Sequence, residues 1–173
     1  MLLNKIIPLS LLLTLAFPAM ATPNFIKAHI TNAAEVGSAR FSYLMWDVYD
    51  ISLYTTDGTW NEAHPFALSL SYLRDLEGKA IAKRSIEEMR KIGFTDEVRL
   101  AAWLSEMQRI FPNVNKDIVL TGIYTPNSPT LFLRNGEVLG SIKDPEFGAW
   151  FFNIWLSPNT SQPTLRRKLL GLK

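Results

Sequence analysis

A helix can be apolar around most of its circumference only if protein covers it on nearly every side, and the stretch after Pro145 is such a helix. Phe147, Trp150, Phe151, Phe152, Ile154 and Trp155 crowd into one short run, so this helix belongs at the centre of the fold. The residues before it indicate what it packs against. DIVLTGIYT (117–125) reads as a strand, Pro126-Asn127-Ser128-Pro129 as a turn, and TLFLRNGEVLGSI as two strands joined at Asn135-Gly136. That dipeptide signals a two-residue hairpin, because both central positions of a type I′ turn need φ > 0. Asp144-Pro145-Glu146 then supplies a cap acceptor, a proline at the first helical position and an acid against the positive helix end.

Residues 36–56 are rich in aromatic and β-branched side chains and end at Asp57-Gly58, which reads as strand closed by a turn. On one straight strand, Tyr43, Met45, Asp47, Tyr49, Ile51 and Leu53 share a side, and Leu44, Trp46, Val48, Asp50, Ser52 and Tyr54 the other. Neither side is cleanly polar. Either both faces are covered, or the segment bends into two strands around 44–46. PFALSLSYL (65–73) is clearer: Phe66, Leu68, Leu70 and Tyr72 alternate against Ala67, Ser69, Ser71 and Leu73, a half-buried strand with its larger residues inward.

Two amphipathic helices follow. Residues 78–92 place Ala82, Ile86 and Met89 on one stripe, set the charged residues mostly away from it, and stop at Gly93. Thr95 can cap the next helix, whose stripe is Leu100, Trp103, Leu104, Met107 and Phe111 before Pro112 ends it. Such large side chains must face a sheet. A last short helix near 163–170 turns Leu165 and Leu169 inward and Arg166-Arg167-Lys168 outward. About seven strands and four helices, with strands on both sides of a helical pair, describe an α+β fold with helices gathered on one side of a mainly antiparallel sheet.

Residues 1–21 carry Lys5, an apolar run from Ile6 to Phe17 and the A-x-A site Ala19-Met20-Ala21, the pattern of a secretory signal peptide. The expected organisation is therefore a signal peptide (1–21) and one domain (22–173), periplasmic or secreted, with no transmembrane segment once the signal is removed. The chain has no cysteine, so no disulfide supports it in an oxidising compartment. A formal charge of +2 gives no argument for nucleic acid or for electrostatic adhesion to anionic lipid.

The chemistry available is narrow. Without cysteine, and with only His29 and His64, neither thiol catalysis nor a Ser-His-Asp arrangement is evident. No histidine pair has metal-ligand spacing, and Asp47 and Asp50, at odd spacing on a strand, should point to opposite faces. No glycine-rich phosphate loop is present. Neither metal nor cofactor is expected. The remaining candidates are polar groups in apolar surroundings: Tyr49 within the aromatic strand, Arg40 near a strand start and Arg74 at a strand end. An arginine at the mouth of an apolar cleft can hold a carboxylate with paired charge-assisted bonds, and a tyrosine hydroxyl can orient it. Equally, Arg74 beside Asp75 reads as a structural ion pair and Tyr49 as a core aromatic.

Taken in order, WDVYD, YLRD and the run from DPEF to IWL, within segments spanning nearly all of residues 22–173, resemble the bacterial exported branch of the chalcone isomerase-like family. The resemblance implies an open-faced β-sandwich: a large antiparallel sheet covered by helices, with a cleft between them. Plant members include an isomerase that closes a flavanone ring and noncatalytic relatives that bind fatty acids in the same cleft. In the catalytic members a tyrosine and a lysine near the first helix after the cleft strand assist ring closure. The corresponding stretch here, LEGKAIAKRSIEE, has no tyrosine, though Lys79 and Lys83 are present. Arg40 loosely matches the family's arginine at the start of the first core strand. Val48-Tyr49 with Tyr54 repeats the tyrosine spacing of the fatty-acid binders.

The resulting expectation is a noncatalytic exported protein binding a small apolar or carboxylate-bearing ligand through Tyr49, Arg40 and Arg74. Two alternatives stand beside it. One is an isomerase or intramolecular lyase with Tyr49 as general acid or base and Arg40 or Arg74 stabilising an anion. The other is an envelope subunit with a protein partner, bound through the aromatic 147–155 helix or the basic 166–168 segment.

Overall fold

In the computed structural model residues 22–172 are described, so the expected signal peptide lies outside the described residues. Six strands form one antiparallel sheet in simple sequence order: β1 (Ala33–Tyr43), β2 (Trp46–Thr56), β3 (Phe66–Tyr72), β4 (Val119–Tyr124), β5 (Thr130–Arg134) and β6 (Glu137–Ile142). Five helices complete it: the single turn α1 (Asn24–Lys27), the pair α2 (Gly78–Lys91) and α3 (Glu97–Ile110) between β3 and β4, then α4 (Phe147–Leu156) and α5 (Pro163–Leu169). This is the α+β open-faced sheet, with α2 to α5 on one side and only the single turn α1 on the other. It has six strands where the sequence suggested about seven, and one extra helical turn, α1.

The 36–56 segment bends into two strands. Tyr43 pairs with Trp46, and Leu44 takes a positive φ of 54° to make the turn. A bulge follows, in which Phe41 pairs with Tyr49 and Ser42 with Asp47, leaving Val48 as the extra residue. A bulge shifts the alternation by one, so Asp47 joins Asp50 on the same face. Their expected separation onto opposite faces is thereby corrected. At the β5–β6 hairpin, Asn135 and Gly136 have φ of 51° and 87°, as the turn chemistry requires.

Register then assigns the faces. Ile51 and Leu53 of β2 sit opposite Leu70 and Leu68 of β3, and Phe66 sits opposite Tyr124 of β4. These residues face the helices. Ile51, Leu53, Phe66 and Leu68 share one core with Trp103 and Met107 of α3 and with Phe147, Phe151 and Phe152 of α4. At roughly 1.5–3 kcal/mol per large apolar side chain fully buried, this face dominates the stability. Gly122 of β4 permits the contact, since a Cβ there would stand 2.8 Å from the Phe152 ring.

The opposite face is thinner. Ile26 and Ile30, in and just after α1, cover Tyr54, Ala67, Ile123 and Leu133. Beside them the Ser69 and Thr121 hydroxyls bond to each other at 2.5 Å, which lets Ser69, on the expected polar side of β3, be buried. α3 is capped by Asp96, which accepts from the Arg99 N–H at 3.0 Å, rather than by Thr95. Asp144 anchors the entry to α4: it accepts from Arg99 at 2.7 Å, from Trp103 Nε1 at 2.9 Å and from the Glu146 N–H at 3.0 Å.

Candidate functional site

Where β1 and β2 run towards their hairpin, α2 and α4 stand off the sheet and leave a cavity of about 470 Å³. Its floor is Leu68, Leu70 and Tyr72 of β3 with Leu120 and Gly122 of β4. Ala80, Ile81 and Ser85 of α2 form one wall, and Phe151, Phe152, Ile154 and Trp155 of α4 the other. Phe41, Tyr43, Val48 and Arg74 border it at the hairpin end. A second hollow, lined by Leu73, Arg74, Asp75, Asn115, Lys116 and Asp117, is built from exposed loop residues and offers no apolar interior.

Two phenols project among these apolar walls. Tyr49 stacks on Phe41 at 5.0 Å and meets Tyr72 edge-on at 5.9 Å between ring centroids. Its hydroxyl accepts a 3.0 Å hydrogen bond from Trp155 Nε1, joining β2 to α4. Burial pushes the Tyr49 phenol up to about 12, against the opposing effect of the Trp155 bond. Burial raises Tyr72 as well, with Tyr49 as the second cause. Both are therefore neutral donors at neutral pH, because a desolvated phenolate is unfavourable.

The polar end of the cavity belongs to α2. Glu88 is only 6% exposed, yet its carboxylate accepts from Ser161 at 2.7 Å and Lys91 at 2.9 Å and pairs with Arg84 at 2.6 Å. Burial alone would raise its pKa, but the Ser161 and Lys91 bonds and the Arg84 charge outweigh it, and the carboxyl is held below its ordinary range. Arg84, Ser85, Glu88, Ser161 and Gln162 all border the cavity. The arrangement offers an apolar volume, two phenolic donors and one guanidinium already partly neutralised by Glu88.

The three residues anticipated from the sequence part company here. Tyr49 lines the cavity, and so does Arg74, which is exposed at the mouth with its guanidinium carbon 5.3 Å from the centre of the Trp46 ring. Arg40 does not. Register places it opposite Asp50, on the outer face, where it donates to Asp50 at 2.7 and 2.9 Å and to Asp47 at 3.0 Å. Those pairs raise the Arg40 pKa, chiefly through the Asp50 hydrogen bond. The bulge at Val48 is what brings both aspartates to it. Residues that sequence reading missed are Tyr72, Arg84, Glu88, Trp155 and Ser161. A signal was present in α2: Ile81, Ser85 and Glu88 form a second stripe at i, i+4, i+7 beside the core stripe, and a stripe that passes from apolar to polar suits a cavity wall. Lys79 and Lys83 are exposed.

The aromatic side chains of α4 are buried or, at Trp150, half-buried, so this helix presents no aromatic docking surface. Arg166 is turned back to donate to the Leu156 carbonyl at 2.7 Å.

Comparison with known proteins gives three findings. A family model described as chalcone isomerase-like matches residues 36–171. A protein of Haemophilus influenzae described as uncharacterised is 33% identical over 156 residues, which cover 90% of this chain and 76% of that protein. The crystal structure of an Arabidopsis thaliana fatty-acid binding protein superimposes with a TM-score of 0.62 at 13% identity, covering 89% of this chain and 90% of the other. At that identity the last match speaks to the fold.

Proposed function

The chain belongs to the chalcone isomerase-like family, and from that premise we propose that it is a noncatalytic binding protein whose cavity holds a small, mainly apolar ligand with one polar end, of the fatty-acid type. The observation that carries this reading is the cavity itself. Its volume of about 470 Å³ falls inside the range of roughly 300–1,000 Å³ usual for small-molecule sites, and apolar walls with a few convergent polar groups are what such sites show. The resemblance in fold to a fatty-acid binding protein supports it. A ligand carboxylate has donors available in the Tyr72 and Tyr49 hydroxyls and in Arg84 or Arg74.

The isomerase alternative is left with Tyr49 as an acid and not as a base. A tyrosine acting as base must reach the phenolate, and burial drives Tyr49 the other way. The reading includes export, on the strength of residues 1–21, and the mass of the mature protein recovered from the cell envelope would check it.

The test is displacement of a fluorescent fatty acid, together with native mass spectrometry after mild extraction. Micromolar binding is expected, and Ala80→Trp, which plugs the cavity from an exposed helical position, should abolish it. If no lipid co-purifies and no probe binds, the reading fails.

A further inference from the structure

At the β1–β2 turn four consecutive large side chains stand in solvent: Tyr43 is 61% exposed, Leu44 83%, Met45 91% and Trp46 60%. Among the described residues none of the four belongs to a core cluster, and soluble chains rarely leave so many contiguous apolar side chains in water without a use. Leu44 moreover holds a positive φ of 54°, a conformation costly for a leucine and cheap for glycine or asparagine. The turn is therefore unfavourable in two independent ways, in solvation and in backbone.

We propose that this tip inserts into the surface of a phospholipid bilayer and sets the cavity mouth against it. The shape favours lipid over a protein partner, since a two-residue turn is a convex wedge that enters a deformable medium more readily than it forms a flat interface. The residue types fit as well. Trp46 and Tyr43, paired across the hairpin, flank Leu44-Met45 as aromatic side chains flank the apolar zone at a water–bilayer boundary. Arg74 over the Trp46 ring places a cation at headgroup level, while the nearby carboxylate of Asp47 is already held by Arg40 and Ser42. Continuity with the cavity completes the argument, because Tyr43 and Arg74 belong both to the tip region and to the cavity lining. Insertion would be driven by apolar burial, so it should change little with salt. Ligand exchange between bilayer and cavity is the consequence, and only that consequence rests on the proposed binding function.

The absence of cysteine permits a local readout. Met45→Cys, labelled with an environment-sensitive fluorophore, is mixed with vesicles of phosphatidylethanolamine and phosphatidylglycerol, and the same label on Glu62→Cys, in the loop at the far end of β2, serves as control. The label at 45 should shift to the emission of an apolar medium and be quenched by a bilayer-embedded quencher. The label at 62 should stay aqueous. The label at 45 should lose affinity for vesicles at least tenfold when Leu44→Asn and Trp46→Ser are added. Labels that both stay in water, that both respond alike, or a response at 45 that survives those two changes would each overturn the proposal. Fluorescent fatty-acid binding in solution by Leu44→Asn/Trp46→Ser is measured in parallel. Loss of vesicle insertion with probe binding retained upholds the tip as the membrane contact, whereas a tip that inserts in a protein binding no probe refutes the cavity function alone.

Discussion

Replacing Glu88 with glutamine should weaken the fold and strengthen binding of an anionic ligand at once, and the opposite signs make it a sharp test of how the cavity is built. Glu88 is buried and holds Arg84, Lys91 and Ser161. Glutamine keeps the shape and an acceptor for Ser161 but loses the charge. Arg84 and Lys91 are about half exposed and recover hydration, so the stability loss should be about 1–1.5 kcal/mol, less than the sum of intact charge-assisted bonds. In a domain of this size that is a fall in Tm of about 2–6 °C. For the ligand, the change removes one negative charge from the wall. For a ligand carboxylate placed about 8 Å from Glu88, at an effective dielectric of about 20, the Coulomb term is ~2 kcal/mol, or about thirtyfold in affinity. Displacement titrations with a fluorescent fatty acid and with the corresponding fatty alcohol should separate the effects, the acid gaining and the alcohol staying level. Equal change for both, or weaker binding of the acid, would refute the placement of the polar end beside Arg84.

Asp144→Ala strands the indole N–H of Trp103, a side chain only 2% exposed, and frees Arg99, so urea melts should show a loss of about 3 kcal/mol; Asp144→Asn should cost about half. A smaller loss for the alanine variant than for the asparagine one would contradict the bonding described. Leu44→Asn relieves a left-handed leucine and removes an exposed apolar side chain, and thermal melts should show a gain of about 0.5–1 kcal/mol; a lower Tm would mean that Leu44 packs on something. Glu88 and Asp144 are both held below their ordinary range, Glu88 by the bonds and charges above and Asp144 by Arg99, the Glu146 N–H and Trp103, in each case against burial. A carboxylate depressed by folding stabilises above its unfolded pKa and loses that contribution as pH falls through the folded value. Tm should therefore be level from about pH 7 to 5 and drop below about pH 4. In the double variant Glu88→Gln/Asp144→Asn the drop should be visibly shallower, and an unchanged acid limb would assign it to other groups.

The local sequence determined the elements and the kind of fold. Asn135-Gly136 made its turn because glycine and asparagine tolerate φ > 0, Gly93 ended α2, the alternation of β3 put Phe66, Leu68, Leu70 and Tyr72 inward, and an all-round apolar α4 could only be central. Tyr49 was visible as a candidate because a phenol in the middle of an aromatic, largely apolar strand stands out. What the sequence left undecided turned on register and on distant partners. One extra residue at Val48 moved Asp47 to the face of Asp50 and engaged Arg40 there, and a bulge has no residue signature that separates it from regular strand. The pairing of Tyr49 with Trp155 spans the chain from β2 to α4, and Glu88 met Ser161 only because α4 packs beside α2 and brings the segment that follows it alongside. A side chain's identity fixes what it can bond, but which partner it reaches depends on how sheet and helices come together, so only the tertiary structure decided where the cavity lies and which charges border it.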